Sequence, residues 1–350
     1  MKLDLQLYRG YANDEELVVF GHLFKSWAPD KYQSDKKGFK HAFSVLHMFR
    51  ISPLKNVSVR LRFKDIDVTT RTMDDGFFRF NVPYKNDLKS GWHTYEITCN
   101  PVEEEYGIIE KAEFLKPFES ELSIISDIDD TFLISHSGNI FKKLYVMLAR
   151  NVNSRKTFED VVRHYQSLST SGHNEEGNRN SFFYVSSSEW NLYNFIVQFA
   201  KLQELPKAVI KLKSIKTGIT DFLKTGGGNH DHKFIKIKDI ISFYPQQSYV
   251  LLGDDSQQDA YIYERICKMF PMNIRAVYLR QTENHKKEKI NAVLNNIEGM
   301  QVATCYFKKS TEAIEHSKQQ GIIKRNKHKK SRKEIFSGFC NSGNTRTILL

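Results

Sequence analysis

Long apolar runs are missing from this chain of 350 residues. None offers the roughly twenty apolar positions that a membrane-spanning helix needs, so no transmembrane segment is expected. Cysteine is scarce: Cys99, Cys267, Cys305 and Cys340 are scattered, with no Cys-x-x-Cys pair. That argues against a disulfide framework and against a zinc site. The first residues, Met1-Lys2-Leu3-Asp4-Leu5-Gln6, lack the apolar core of a signal peptide. A reduced, cytoplasmic protein is expected. Acids are outnumbered, 41 against 52 Lys and Arg, for a net charge of +11. The excess is concentrated, because residues 324–350 hold eight Lys or Arg and one Glu, +7 of that total. The rest is only mildly basic, so general binding of polyanions is not a property of the whole chain.

What is present suffices for about two domains, with an apolar fraction of 40% to build their cores. Residues 1–115 read as all-β. Val57, Val59, Leu61 and Phe63 alternate with Ser58, Arg60, Arg62 and Lys64, the period of a half-buried strand. Asp74-Asp75-Gly76 is a hairpin signal before a strand at 77–82. Further strands are expected at 16–24, 42–49, 93–99 and 108–114. About seven short strands suggest an immunoglobulin-like β-sandwich, with no catalytic constellation in it. Residues 116–323 alternate strand and helix patterns. Strands are expected at 122–126, 182–186, 208–212, 249–253, 274–279 and 302–307, with helices at 141–150, 157–168 and 233–243. That pattern predicts a three-layer α/β domain on a mostly parallel sheet.

Four segments of this second part carry chemistry. Ser126-Asp127-Ile128-Asp129-Asp130-Thr131 follows the apolar run Leu122-Ser123-Ile124-Ile125. Carboxylates two residues apart at a strand end can converge where open α/β sheets bind ligands, although an Asx turn would use the same residues. Phe182-Phe183-Tyr184-Val185-Ser186 is an apolar strand ending in a hydroxyl. A helix is expected from Glu189, with Ser187 or Ser188 capping it. Lys233 opens a helical run that ends at Pro245. Read alone, it is a solvated lysine with Lys236 and Lys238 nearby. Tyr249-Val250-Leu251-Leu252-Gly253-Asp254-Asp255 is a buried strand running into acids, with Asp259 five residues beyond Asp254. Gly253 is expected to let the backbone turn, and Asp259 also suits a helix N-terminus.

In this order the four segments resemble the haloacid-dehalogenase-type (HAD-like) phosphatases. Asp127, Asp129 and Thr131 fill the first motif, Asp-x-Asp-x-Thr; Asp254 and Asp259 fill Gly-Asp-x-x-x-x-Asp. The surrounding Ser-Asp-Ile-Asp-Asp-Thr, Phe-Tyr-Val-Ser-Ser-Ser-x-Trp-Asn-Leu-Tyr and Leu-Leu-Gly-Asp-Asp-x-x-Gln-Asp look like the actin-patch phosphatidate phosphatase family. Tyr8-Arg9-Gly10-Tyr11 and Gly21-His22-Leu23 look like its amino-terminal part, so the resemblance runs over about residues 1–320. It departs at Glu189 and Asp255, where Pro and Ser are expected. The resemblance implies a Rossmannoid catalytic domain and Mg²⁺-dependent hydrolysis of a phosphomonoester through an aspartyl-phosphate. Phosphatidate, cleaved to diacylglycerol, is the implied substrate. Asp127 would be the nucleophile and Asp129 the general acid and base. Thr131, Ser186 and Lys233 would hold the phosphoryl group. The metal would be held by Asp127, Asp129 and Asp254, supported by Asp259 or Asp255.

The residues themselves support only a phosphomonoester, so a soluble sugar or nucleotide phosphate stays open. A non-enzymatic membrane or nucleic-acid module with a basic tail also stays open. Against it stands the acidic set, which a binder of polyanions has no reason to gather unless a metal neutralises it. Arg275 and Arg280 could meet a second anionic group, or be merely solvated. The glycine-rich 225–232 stretch lacks the Gly-Lys-Ser/Thr ending of a nucleotide loop. Its His230, Asp231 and His232 read as solvated rather than as a metal site. The tail at 324–333 is expected to be disordered. It suits an anionic membrane surface, which would make the protein peripheral there; nucleic acid is the less expected partner.

Overall fold

The computed structural model describes residues 2–26, 52–85, 88–99, 107–128, 153–171, 179–213, 231–255, 258–282 and 286–323. The strand expected at 42–49, the helix expected at 141–150 and the basic tail lie outside them.

The amino-terminal strands are β1 (Lys2–Leu7), β2 (Gly10–Ala12), β3 (Glu16–Ser26), β4 (Ser52–Pro53), β5 (Ser58–Phe63), β6 (Ile66–Arg71), β7 (Phe77–Pro83), β8 (Gly91–Cys99) and β9 (Ile108–Lys116). They form one hydrogen-bonded sheet in the order β1-β3-β2-β9-β8-β5-β6, with β4 and β7 added along β3. Its pairs are antiparallel except β2 with β9. Among the described residues hydrogen bonds join these strands throughout, so the two layers of a sandwich are not marked off as separate sheets. Nevertheless Leu17, Val19, Leu23, Phe78 and Phe80 from one end share an apolar cluster with Val59, Leu61, Tyr95, Ile97 and Phe114 from the other. Each such side chain contributes roughly 1.5–3 kcal/mol on burial. The alternation read at 57–64 is real, since Val59, Leu61 and Phe63 are buried and Ser58, Arg60 and Arg62 exposed. Asp75-Gly76 does make a tight turn, with Gly76 at φ 76° and the Phe77 amide donating to Asp75 Oδ1. It does not join a hairpin, however, because β7 pairs with β3 rather than with β6.

The second sheet holds β10 (Leu122–Asp127), β11 (Ser181–Glu189), β12 (Val209–Lys213), β13 (Ser248–Asp254), β14 (Ile274–Arg280) and β15 (Ala303–Phe307). All pairs are parallel, in the order β12-β11-β10-β13-β14-β15. Helices α1 (Asn153–Ser169), α2 (Tyr193–Leu202), α3 (Asp231–Phe243), α4 (Asp259–Met269), α5 (Lys287–Glu298) and α6 (Ser310–Gln319) accompany it. Ile124, Tyr184, Leu252 and Tyr278 pack with α1, α2 and α6 on one face. Ile125, Phe183, Leu251 and Val277 pack with α3, α4 and α5 on the other. Burial of both faces explains why these strands read as continuous apolar runs.

The chain leaves β10 outward to β11 and β12, then returns to β13 on the other side of β10. Strand order therefore reverses beside β10, the crevice where open α/β sheets take ligands. The two sheets also share apolar clusters. Tyr8 joins one face of the parallel sheet, while Tyr11, Val18 and Leu115 join the other.

One expected helix start is corrected. β11 continues to Glu189, a 3-10 turn spans Trp190–Leu192, and α2 begins at Tyr193. Leu192 is the N-cap and makes no side-chain cap bond, so the cap position lies beyond Ser187 and Ser188.

The Gly76 turn yields a test. A Cβ there would lie 2.4 Å from the Leu23 carbonyl oxygen, on a backbone that costs an L-residue about 1–2 kcal/mol. Gly76→Ala should lower stability by at least about 1 kcal/mol in chemical unfolding.

Candidate active site

Buried charge other than histidine gathers in one place among the described residues. Among the described residues the buried acids and bases other than histidine are Asp127, Asp254, Asp255, Asp259, Lys233 and Arg280. All six come from the carboxyl ends of β10, β13 and β14 or from the first turns of α3 and α4. Burying such groups is costly unless they are paired, so their gathering marks a site rather than a surface.

Asp127 ends β10 and is 1% exposed. Lys233 reaches it from the opening turn of α3, with Nζ 2.9 Å from Asp127 Oδ1 and 2.5 Å from Asp259 Oδ1. Lys233 is thus a buried ammonium between two carboxylates, not the solvated lysine that its immediate sequence suggests. Asp259 opens α4, and its Oδ2 accepts the Asp254 amide at 3.4 Å. The helix N-terminus favours that negative charge, as its place in the sequence suggests.

Gly253 is inside β13, without the positive φ a sharp turn would need. Its role is close approach: a Cβ would sit 2.5 Å from Asp259 Oδ2 and 2.8 Å from the Tyr263 hydroxyl. Asp254 ends β13 beside it. Asp255 is held differently. Its Oδ1 accepts the Thr282 amide at 2.7 Å and the Thr282 hydroxyl, and its Oδ2 accepts the Tyr306 hydroxyl at 2.6 Å. Those bonds tie the end of β13 to the segment after β14.

Ser186 is buried on β11, one residue beyond the Asp127–Val185 pair. Lys236 donates to its backbone oxygen at 3.0 Å. Nothing local in the sequence gives Lys236 a role, yet its three-residue spacing from Lys233 on a helix places both on one side. Asp129 and Thr131 lie outside the described residues. The Tyr165 hydroxyl meets Ser126 Oγ at 2.7 Å just behind Asp127. Burial pushes the Tyr165 and Tyr263 phenols up, and both feel the charges of Asp127 and Asp254.

The two arginines of β14 separate. Arg275 is exposed, whereas Arg280 is 5% exposed. Arg280 pairs with Asp254 across the strands and donates from Nη2 to Ser310 Oγ at 2.7 Å. Burial pulls its pKa down, against the opposing pull of Tyr165 and Asp254.

Four buried acids face two buried bases, leaving an excess of two negative charges among the described residues. A divalent cation would balance it. The acids offer only oxygen, which suits a hard ion such as Mg²⁺. Among the described residues no three His, Cys, Asp or Glu side chains form a ready-made cage. Mg²⁺ is commonly held by one or two carboxylates and keeps several waters, so Asp127 and Asp254 fit it.

Comparison with known proteins came to the same segment. Residues 122–281 match the family model described as phosphatidate phosphatase APP1, catalytic domain. That span contains every candidate site residue named from the sequence. Phosphatidate phosphatase APP1 of Saccharomyces cerevisiae is 27% identical over 213 residues, covering 57% of this chain and 33% of the relative. The chain therefore spans about a third of the length of that relative. Among solved structures, the PilB minor pilin of Streptococcus sanguinis aligns at 10% identity and TM-score 0.30, covering 77% of this chain and 89% of that one. XAC1771, a carbohydrate acetylesterase of Xanthomonas citri, aligns at 8% and 0.32, covering 91% and 75%. Both are too distant to bear on fold or function.

Two tests follow from this geometry. Lys233→Met leaves Asp127 and Asp259 buried without their shared cation, and should cost about 3–5 kcal/mol in chemical unfolding. His22 and His164, each 2% exposed, are pulled down to about 3, chiefly by burial. Between that value and their ordinary 6.5 the unfolded chain binds more protons. Stability should therefore be intact above about pH 6.5 and fall on acidification, by up to about 1.4 kcal/mol per pH unit per histidine. His164→Gln should flatten that slope.

Proposed function

We propose that this chain is a Mg²⁺-dependent phosphatase of the HAD-like kind, with phosphatidate as substrate and diacylglycerol as product. The observation that carries the reading is Lys233 buried between Asp127 and Asp259, at the sheet's switch point and within the segment matching the phosphatase catalytic domain. An ammonium fixed beside a strand-end carboxylate suits a nucleophile that must approach a phosphoryl group of like charge.

In the proposed sequence an Asp127 oxygen attacks phosphorus in line. The new O–P bond forms as the bond from phosphorus to the alcohol oxygen breaks, giving an aspartyl-phosphate. Asp129 gives its proton to the departing alkoxide. It then takes a proton from the water that attacks phosphorus, which releases phosphate and restores Asp127. Ser186 and Lys233 hold equatorial phosphoryl oxygens, where charge is spread in the transition state, and Thr131 steadies the loop. Mg²⁺, held by Asp127, Asp254 and the backbone oxygen of Asp129, would supply charge neutralisation at the transferred group. Asp259 and Asp255 support that set from behind, one through Lys233 and the other through Thr282 and Tyr306.

Residues 1–115 would form an accessory β domain of sandwich type, 116–323 the catalytic domain, and 324–350 a basic tail. No helix among the described residues is long and apolar enough to cross a membrane. The tail would bring a cytoplasmic enzyme to an anionic membrane, at about 1 kcal/mol per basic residue near the surface. A soluble phosphomonoester is the competing substrate.

Phosphate release from phosphatidate in mixed micelles and from a soluble aryl phosphate, with and without Mg²⁺, tests this reading. Asp127→Asn should lower turnover at least about 10³-fold, as losing a nucleophile does, with the unfolding transition retained. Wild-type activity in that variant rules out the mechanism. Deleting residues 324–350 should weaken activity on anionic vesicles and its salt sensitivity, leaving aryl phosphate hydrolysis unchanged. If only the aryl phosphate is cleaved, the lipid assignment fails.

A further inference from the structure

The tip of β11 leaves the register of its own sheet. Pairing with β10 ends at Asp127–Val185. Pairing with β12 passes from Val185–Lys211 to Glu189–Lys213, so four residues of β11 advance against two of β12. Ser186 begins that out-of-register stretch, and the ladder alone does not set its position.

The stretch is anchored at its far end by the amino-terminal sheet. The Trp190 ring stacks on His22 of β3, centroids 4.5 Å apart and planes 21° apart, and on Phe24 at 4.8 Å and 13°. His22 and Phe24 stack on each other at 5.4 Å and 9°. The Tyr8 hydroxyl meets His22 Nδ1 at 2.8 Å and fixes that ring. Contacts continue into α2. The Arg9 amide donates to the Tyr193 hydroxyl at 2.7 Å, and Asn194 and Gln6 exchange amide bonds at 2.6 and 3.1 Å. At its near end the stretch is held by Lys236 on the Ser186 oxygen.

We propose that the amino-terminal sheet is a positioning element for the phosphate-holding tip of β11, acting through Trp190, with His22 and Phe24 as its seat. The accessory sheet then sets the aim of Ser186 as well as packing on the catalytic part. This rests on the reading of Ser186 as a phosphoryl ligand.

The test uses the full chain with Mg²⁺, orthophosphate binding by calorimetry, and kcat and KM on a soluble aryl phosphate. Trp190→Ala should weaken orthophosphate binding about tenfold and lower kcat/KM by about 10- to 100-fold, the scale of an ångström misplacement. Trp190→Phe, which keeps a ring for stacking, should restore most of both. His22→Ala should act in the same direction. Phe243→Ala is the control: it breaks the same interface where Tyr11 meets Phe243 edge-on at 4.8 Å, away from the tip. It should cost stability but leave binding and kcat/KM within about twofold. Equal effects from Trp190→Ala and Phe243→Ala, or orthophosphate binding that Trp190→Ala leaves intact, overturn this inference alone. A wild-type chain that binds no orthophosphate overturns the phosphatase reading and this inference with it.

Discussion

The structure turns on one ammonium group. Lys233 lies between Asp127 and Asp259 with almost no contact with solvent. A cation so placed is tolerable only because both carboxylates are there, and they are tolerable only because it is. The demand propagates outward. α3 must begin close enough for the side chain to reach β10. α4 must begin with an acid, and β13 must carry a glycine so that the acid can lie against its backbone. Asp255 then fixes the end of β13 through Thr282 and Tyr306. Such pairs seldom add stability over apolar packing. What they specify is where the helices start, and through that the shape of the crevice.

Much of this was legible in the sequence, for physical reasons. Strands buried on both faces leave apolar runs that need no partner to be recognised, as 122–127, 248–254 and 274–280 show. Strand-end acids announce themselves because carboxylates are otherwise rare beside such runs. Lys233 was legible only through family order, since nothing local distinguishes a lysine that will be buried from one that will not. Lys236 and Arg280 were missed or undervalued for the same reason: their surroundings come from elements fifty and thirty residues away. Gly253 was noticed for the wrong property, because sequence does not separate a glycine needed for its dihedral angles from one needed for its missing side chain.

The amino-terminal third is less legible. Its long strands stand out in the sequence, but β1, β2, β4 and β6 do not. β6 alternates only between half-buried and exposed positions, too weak a contrast to stand out, and β2 is three residues long. The continuity of the sheet depends on β3 serving β1 and β2 along one edge and β7 along the other. That long-range pairing leaves no local signature. Nor does the use of Tyr8, Tyr11 and Val18 on the parallel sheet, where an amino-terminal apolar residue and its neighbour are far apart in the chain.

That last arrangement bears on how the chain is made. Tyr11 meets Phe243, and the Ala12 carbonyl accepts the Tyr244 hydroxyl. The strands around Tyr11 and Ala12 therefore cannot complete their packing until more than two hundred further residues have been synthesised. At ordinary elongation rates that is on the order of ten seconds or more. Throughout that interval the aromatic side chains of the antiparallel sheet that pack on the parallel one lack their cover. Aggregation risk during synthesis therefore falls on the antiparallel sheet before the elements that cover it exist.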